Sequence, residues 1–276
     1  MVATPIGNLD DITLRALKIL KQVQLVAAED TRRTGILLRH FGIETSILSV
    51  HEHNERARID RIVSQLARGE SVALVTDAGT PGISDPGATL VAAIRQAGFN
   101  VEPIPGASAV AAAISASGVS SRGFTFLGFP PIRSKDRKLW LEQLGEASKH
   151  RLVVFFEAPH KIRRTLEDLF KLVKRPIIIG RELTKLHEEF VVGTVPDLLA
   201  KFELPQGEFT VLVPPMEPDS EAKTEISDDS VIELFGQITE FGHSGSKRDA
   251  ARETGERLGL TAKQVYEIIE RNKLVD

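Results

Sequence analysis

The chain has 276 residues, 42% of them hydrophobic and 26% charged, with a formal net charge of −3. That balance builds a buried core, so it excludes wholesale disorder and a globally basic nucleic-acid coat, though not a local basic groove. Cysteine is absent, which removes disulfide scaffolds, Cys-ligated zinc, iron–sulfur clusters and thiol nucleophiles together and fits a reducing cytoplasm. No signal peptide and no membrane span are expected, because no run approaches the roughly 18–20 apolar residues a bilayer requires. Trp140 is the only Trp and Tyr266 the only Tyr, which leaves few stacking platforms for bases.

The first half alternates short β-branched runs with helical patterns. Residues 2–4, 24–28, 46–50, 71–76 and 101–104 read as strands. Residues 11–22, 31–41, 54–67, 87–97 and 107–117 read as helices, the third with Ile59, Ile62, Val63 and Leu66 on one face. The alternation predicts an α/β domain over residues 1–119 with a mostly parallel sheet. Residues 120–131, punctuated by Gly and Pro, mark a boundary. A smaller α/β domain follows over 120–215, with helices at 136–147, 161–173 and 196–201 and strands at 151–156, 176–179, 190–193 and 209–214. Residues 216–229, rich in Pro, Glu, Asp and Ser, read as a linker. A helix-turn-helix-like tail over 230–276 carries helices at 230–241, 246–258 and 261–273, with Ser246 and Thr261 as N-caps and Gly259 at the last turn.

Five loops follow strands, and ligands of open α/β sheets bind at the carboxyl ends of strands. In Thr4-Pro5-Ile6-Gly7-Asn8-Leu9-Asp10, Gly7 lets backbone approach a ligand, or the segment is an ordinary turn capped by Asn8 or Asp10. Ala28-Glu29-Asp30-Thr31-Arg32-Arg33 is a charged rim, or a helix cap at Asp30 or Thr31. His51-Glu52-His53-Asn54-Glu55 lacks the i, i+4 spacing of a helical zinc site and a third ligand, so no metal is expected. Thr76-Asp77-Ala78-Gly79-Thr80-Pro81-Gly82-Ile83-Ser84-Asp85-Pro86-Gly87 is a long, shaped, side-chain-poor loop of the kind that is usually functional. Pro105-Gly106-Ala107-Ser108 opens an Ala-rich helix with small residues, suited to a ligand or to tight packing.

Taken in order, and with Arg181-Glu182-Leu183-Thr184-Lys185 in the second half, these motifs closely resemble the ribosomal RNA small subunit methyltransferase I family. The resemblance spans roughly residues 2 to 215. It implies two α/β domains of the tetrapyrrole methylase (class III methyltransferase) type with a small C-terminal helical extension. It also implies a homodimer, S-adenosylmethionine as cofactor, and 2′-O-methylation of a cytidine ribose in the decoding region of 16S ribosomal RNA. By the same resemblance, Pro5, Gly7, Asp77, Ala78, Gly79, Ile83, Ser84, Pro105, Gly106 and Ser108 face the cofactor from the first domain. Phe156, Glu157, Arg181, Gly207, Phe209 and Thr210 face it from the second. Relatives usually have a longer first strand than residues 1–4 provide, so the pocket edge is expected to be affected.

The implied reaction is an in-line displacement, with the acceptor oxygen placed about 3 Å from the methyl carbon. A 2′-hydroxyl profits from a base, for which Asp30, His51, Glu55 and Glu182 are candidates, with Lys185 and Arg32 as phosphate or oxyanion partners. RNA contact is expected from Arg32 and Arg33 and from the cluster Arg133, Lys135, Arg137 and Lys138. The tail cations Lys247, Arg248, Arg252, Arg257 and Lys263 serve either RNA contact or packing between copies. Two further readings stay open: a small-molecule methyltransferase of tetrapyrrole type, and a ligand-sensing regulator with a nucleic-acid-binding tail.

Overall fold

The computed structural model describes residues 1–216, 228–241, 246–258 and 260–273. They form two compact units, residues 1–216 and residues 217–276.

In the first unit, β1 (Leu25–Ala28) lies between β2 (Ile47–Ser49) and β3 (Val72–Val75), all parallel. β1 is buried on both faces, as parallel strands covered by helices are. Helices α1 (Leu14–Gln22), α2 (Thr31–His40), α3 (Glu55–Ala67), α4 (Ala88–Gln96) and α5 (Ala109–Ala116) follow in order. Local chemistry fixes their starts: the Thr13 side chain accepts from Ala16 N–H and the Asp30 side chain from Arg32 N–H.

Two expected strands are not full strands. Residues 2–4 and 101–104 make only single bridges, Val2 to Ile104 in parallel and Thr4 to Gly79 antiparallel. Val2 N–H still donates to Leu74 and Ile104 N–H to Met1, so the segment lies in the sheet direction with too few residues for a ladder.

The second sheet has the order β4-β5-β8-β6-β7, built from β4 (Phe124–Phe126), β5 (Leu152–Glu157), β6 (Ile177–Arg181), β7 (Glu189–Gly193) and β8 (Phe209–Val213). Only β4 and β5 run parallel. Helices α6 (Ser134–Ala147), α7 (Pro159–Phe170) and α8 (Val195–Lys201) accompany it. One face buries Trp140, Phe155, Ile162, Leu166 and Ile179. The other packs Leu152, Val154, Ile178 and Leu212 against Ile6, Val110 and Ala113. That second cluster joins the two halves: α5 precedes the expected 119/120 boundary in sequence yet packs on the second sheet.

In the second unit, α9 (Asp228–Phe241), α10 (Lys247–Leu258) and α11 (Ala262–Lys273) pack around Val231, Ala251, Val265 and Ile269. Ser246 and Thr261 cap as expected, their hydroxyls accepting from Asp249 and Gln264 N–H. Gly259 and most of the expected linker lie outside the described residues. Arg252, Arg257 and Lys263 pair with Glu256, Glu253 and Glu267 on the helix surfaces.

Glu55, a base candidate by sequence, is a structural residue. Its carboxylate is buried and accepts from Leu90 N–H at 2.7 Å. It thereby caps α4, whose own N-cap position, Gly87, offers no side chain. Glu55→Ala is expected to lower unfolding free energy in urea by about 1–2 kcal/mol, with Glu55→Gln retaining most of it.

Candidate functional site

The parallel strands of the first half end on one side, and their loops meet the second sheet there. Between them lies a cavity of about 390 Å³. Its first wall is Ile6, Glu29, Asp77, Ala78, Gly79 and Thr80, continued by Ile83, Ser84 and Asp85 and by Ser108, Ala109 and Val110. The opposite wall is Phe129, Phe156, Glu157, Ala158 and Pro159, with Leu183, Glu208, Phe209 and Thr210.

The long loop after β3 is held by backbone and carboxylate contacts. Thr4 and Gly79 exchange both N–H···O bonds, at 2.9 and 3.1 Å, and the Thr4 hydroxyl donates to Thr76 O. Gly79 and Gly82 adopt φ of +86° and +84°, conformations that glycine reaches without a Cβ penalty. Asp77 Oδ1 accepts from Asp30 N–H at 3.0 Å, and Asp77 N–H donates to Glu29 at 3.4 Å. Arg33 Nε lies 3.6 Å from Asp77 Oδ2. Burial and the neighbouring Glu29 charge push the Asp85 carboxyl up to about 6. Burial likewise raises Glu29, although the Asp77 N–H works against it.

On the second wall, Phe156 packs edge-on against Phe126 and tilted against Phe129. Glu157 is buried; its Oε1 accepts from Ala158 N–H and its Oε2 from the Thr165 hydroxyl. Thr165 in turn accepts from Arg137 Nη2, and Arg137 Nε donates to Asp168 at 2.8 Å. Arg137 is therefore not an exposed RNA contact: it is 6% exposed and braces Thr165 beneath the cavity. The expectation failed because the α6 sequence shows four cations within six residues but not which of them faces inward. Arg133, Lys135 and Lys138 do lie on the surface.

A second chamber of about 260 Å³ adjoins the first and shares Ile6, Arg33, Asp77, Ala78 and Glu208 with it. Pro5, Gly7, Ile36, Leu37 and Lys185 line only this one. Across its rim Asn8 N–H donates to Thr184 Oγ1 of the other half, and within that second half Lys185 Nζ reaches Glu182 at 2.8 Å and Glu208 at 2.9 Å. Burial would lower the Lys185 ammonium, but the two carboxylates outweigh it and hold it above its ordinary value. Burial would raise Glu182, and the Lys185 hydrogen bond, the Glu208 N–H and the Lys185 and Arg181 charges together reverse that. Gly7 is required by closeness, since an added Cβ would lie 2.5 Å from Lys185 Cγ and 2.9 Å from Leu183 O.

The model of the family described as Tetrapyrrole (Corrin/Porphyrin) Methylases matches residues 1–199. A ribosomal RNA small subunit methyltransferase I from Synechocystis is 41% identical over 272 residues, spanning 97% of this chain and 95% of the relative. The Haemophilus influenzae protein of that name is 44% identical over 245 residues, 86% of each chain. The chain belongs to the ribosomal RNA small subunit methyltransferase I family. It is a methyltransferase with the tetrapyrrole methylase fold. A solved uroporphyrin-III-C-methyltransferase from Thermus thermophilus shares that fold at a TM-score of 0.55 and 21% identity, over 76% of this chain and 91% of that one.

Against the residues for which family resemblance implies cofactor contact, the placement divides. Asp77, Ala78, Gly79, Ile83, Ser84 and Ser108, with Phe156, Glu157, Phe209 and Thr210, line the first cavity. Pro5, Gly7, Pro105, Gly106, Arg181 and Gly207 do not, and of these Pro5 and Gly7 line the second chamber instead. Gly106 lets Ala3 pack within 2.9 Å of where a Cβ would stand, and Arg181 binds Glu189 and Gln206 O. Of the base candidates, Asp30 is bound to the Arg32 guanidinium, whose hydrogen bonds hold its carboxyl well below the usual range. His51 is engaged by Asn54, and neither residue lines the cavity. Among the described residues, no His, Cys, Asp and Glu cluster suits a metal. Glu29 and Asp85 were missed as acid–base groups. Both stood within the quoted motifs, but their burial comes from tertiary packing.

The folded Asp85 prefers its proton more than the unfolded chain does, so its contribution to stability is full below about pH 4 and falls away as pH rises through about 6. Asp85→Asn is expected to stabilise the protein at pH 8, by about 1 kcal/mol after discounting for solvent; thermal melts should show the gain vanishing near pH 4. Arg137→Ala should cost about 3 kcal/mol in denaturant unfolding, because it leaves Asp168 and Thr165 without their partner, and should leave the salt dependence of RNA binding unchanged.

Proposed function

We propose that this protein 2′-O-methylates a cytidine ribose in the decoding region of 16S ribosomal RNA, with S-adenosylmethionine held in the 390 Å³ cavity. The observation that carries this reading is convergence. Many of the segments through which the sequence resembles the family, scattered from Ile6 to Thr210, come together on the two walls of one cavity. The family and its relatives' names support the substrate class.

The cavity fits the cofactor. Ile6, Val110, Phe156 and Leu183 offer apolar faces for a nucleoside, and Ser108, Glu157 and Thr210 offer polar partners. Gly79 keeps the loop backbone free of side chains where Ile6 approaches. Asp77, Ala78, Gly79, Ile83 and Ser84 would hold the cofactor from the first half, and Phe156, Glu157, Phe209 and Thr210 from the second. When bound, it supplies an electrophilic methyl group on sulfonium sulfur. The chain's own work is to position the hydroxyl in line, exclude water and accept a proton. Glu29 and Asp85 stand on the wall for that last task, with Asp85 ionised above about pH 6.

RNA contact comes from Arg32, Arg33, Arg133, Lys135 and Lys138, which are exposed. A homodimer and a cytoplasmic location belong to the same reading. The test supplies labelled S-adenosylmethionine with assembled 30S subunits in one arm and tetrapyrrole precursors in the other. Label on a 16S ribose 2′-oxygen, rising as pH passes 6, is the expected result. Label only on the small molecule, or specific duplex binding without methyl transfer, would overturn the reading.

A further inference from the structure

The second chamber is not the one assigned to the cofactor, although Pro5 and Gly7, expected from the family resemblance to face the cofactor, line it; it opens onto the same wall. Four features bear on its occupant. It shares Asp77, Ala78 and Ile6 with the cofactor cavity, so a group placed in one chamber abuts a group placed in the other. Its volume, about 260 Å³, lies just under the range of pockets for drug-sized ligands, which suits one nucleoside rather than a macrocycle. Its walls combine apolar Ile36 and Leu37 with the cations Arg33 and Lys185, each near a carboxylate of the same chamber, Asp77 and Glu208. And the exposed side of α2 beside it carries Arg32, Arg33, Ile36, Arg39 and His40.

We propose that the second chamber receives the acceptor nucleotide, extruded from its RNA strand, with the flanking phosphates on α2. The inference rests on the RNA reading above and assigns that substrate its place. A nucleotide held within a folded RNA must leave its stack to bring its sugar into an enclosed site. Cations that contact phosphates fix register while apolar surface takes the ring. Arg33 lines both chambers, with its side chain 63% exposed and one carboxylate 3.6 Å away, so it can meet a phosphate. Lys185, already satisfied by Glu182 and Glu208, closes the far side. The ribose then lies against the Asp77–Ala78 edge, where the two chambers meet.

Ile36 is 58% exposed and lines only the second chamber, so a larger side chain there fills space without disturbing the core. Ile83 is 44% exposed and lines only the first. The experiment measures KM for 30S subunits in methyl transfer and Kd for S-adenosylmethionine by calorimetry. Ile36→Trp is expected to raise the subunit KM by about tenfold or more and to leave the cofactor Kd within about twofold. Ile83→Trp should weaken the cofactor instead. Arg33→Gln should raise the subunit KM and flatten its dependence on salt by about one unit of slope. If Ile36→Trp keeps the wild-type subunit KM, or loses cofactor affinity in step with it, the assignment is overturned while the RNA reading stands. If the wild-type protein transfers no methyl group to the subunit, the RNA reading falls and this one with it.

Discussion

Asp77 is the joint on which the site depends. A parallel sheet delivers its loops to one side, but nothing in the sheet itself sets their shape. Asp77 does so by accepting Asp30 N–H, donating its own N–H to Glu29 and standing near Arg33. The loop after β1 and the loop after β3 thus become one surface, and both chambers are cut into it. Thr4 and Gly79 fasten the first loop of the chain to the same surface by a reciprocal pair of backbone bonds. The backbone groups at these joints pair locally, as buried loops require.

Charge is distributed unevenly around that surface. The overall balance is acidic, and the cavity wall gathers Glu29, Asp77, Asp85 and Glu157. Arg33 lines the cavity as well, whereas Arg32, Arg133, Lys135 and Lys138 stand outside it, on α2 and at the start of α6. An anionic polymer is attracted to the rim and repelled from the cofactor wall, which favours entry of a single sugar over entry of its phosphates. The net charge of −3 therefore describes the sum and not the place where an RNA would bind.

Much of this was legible from sequence. The periodicities located the helices within a few residues, because amphipathic spacing and caps such as Ser246 and Thr261 are local signals; the Thr13 cap, two residues inside the expected start of the first helix, went unread. The Gly- and Pro-rich loops announced the site for the same reason: their backbone demands are written in residue type. What depended on tertiary environment was not legible. Arg137 and Glu55 look like surface charges in a string of letters, and only packing shows them braced inside. Glu29 and Asp85 become unusual acids chiefly through burial, with Asp77 beside the first and Glu29, 56 residues away in the chain, beside the second. Residues 2–4 read as a strand by composition, yet a ladder needs more partners than that segment has. The α5 helix belongs to the first half by order and to the second sheet by contact.

The seam between the halves differs in kind from floor to rim. At the floor of the cleft the halves meet through Ile6, Val110, Leu183 and Leu212, all buried. At the rim they meet through an exposed hydrogen bond, Asn8 N–H to Thr184 Oγ1, beside the close packing of Gly7 on Lys185. Solvent competes for the rim bond and leaves it weak, whereas separating the floor exposes apolar surface. The cleft therefore parts most easily at the rim, and that is the side from which a ligand has the least resistance to enter or leave.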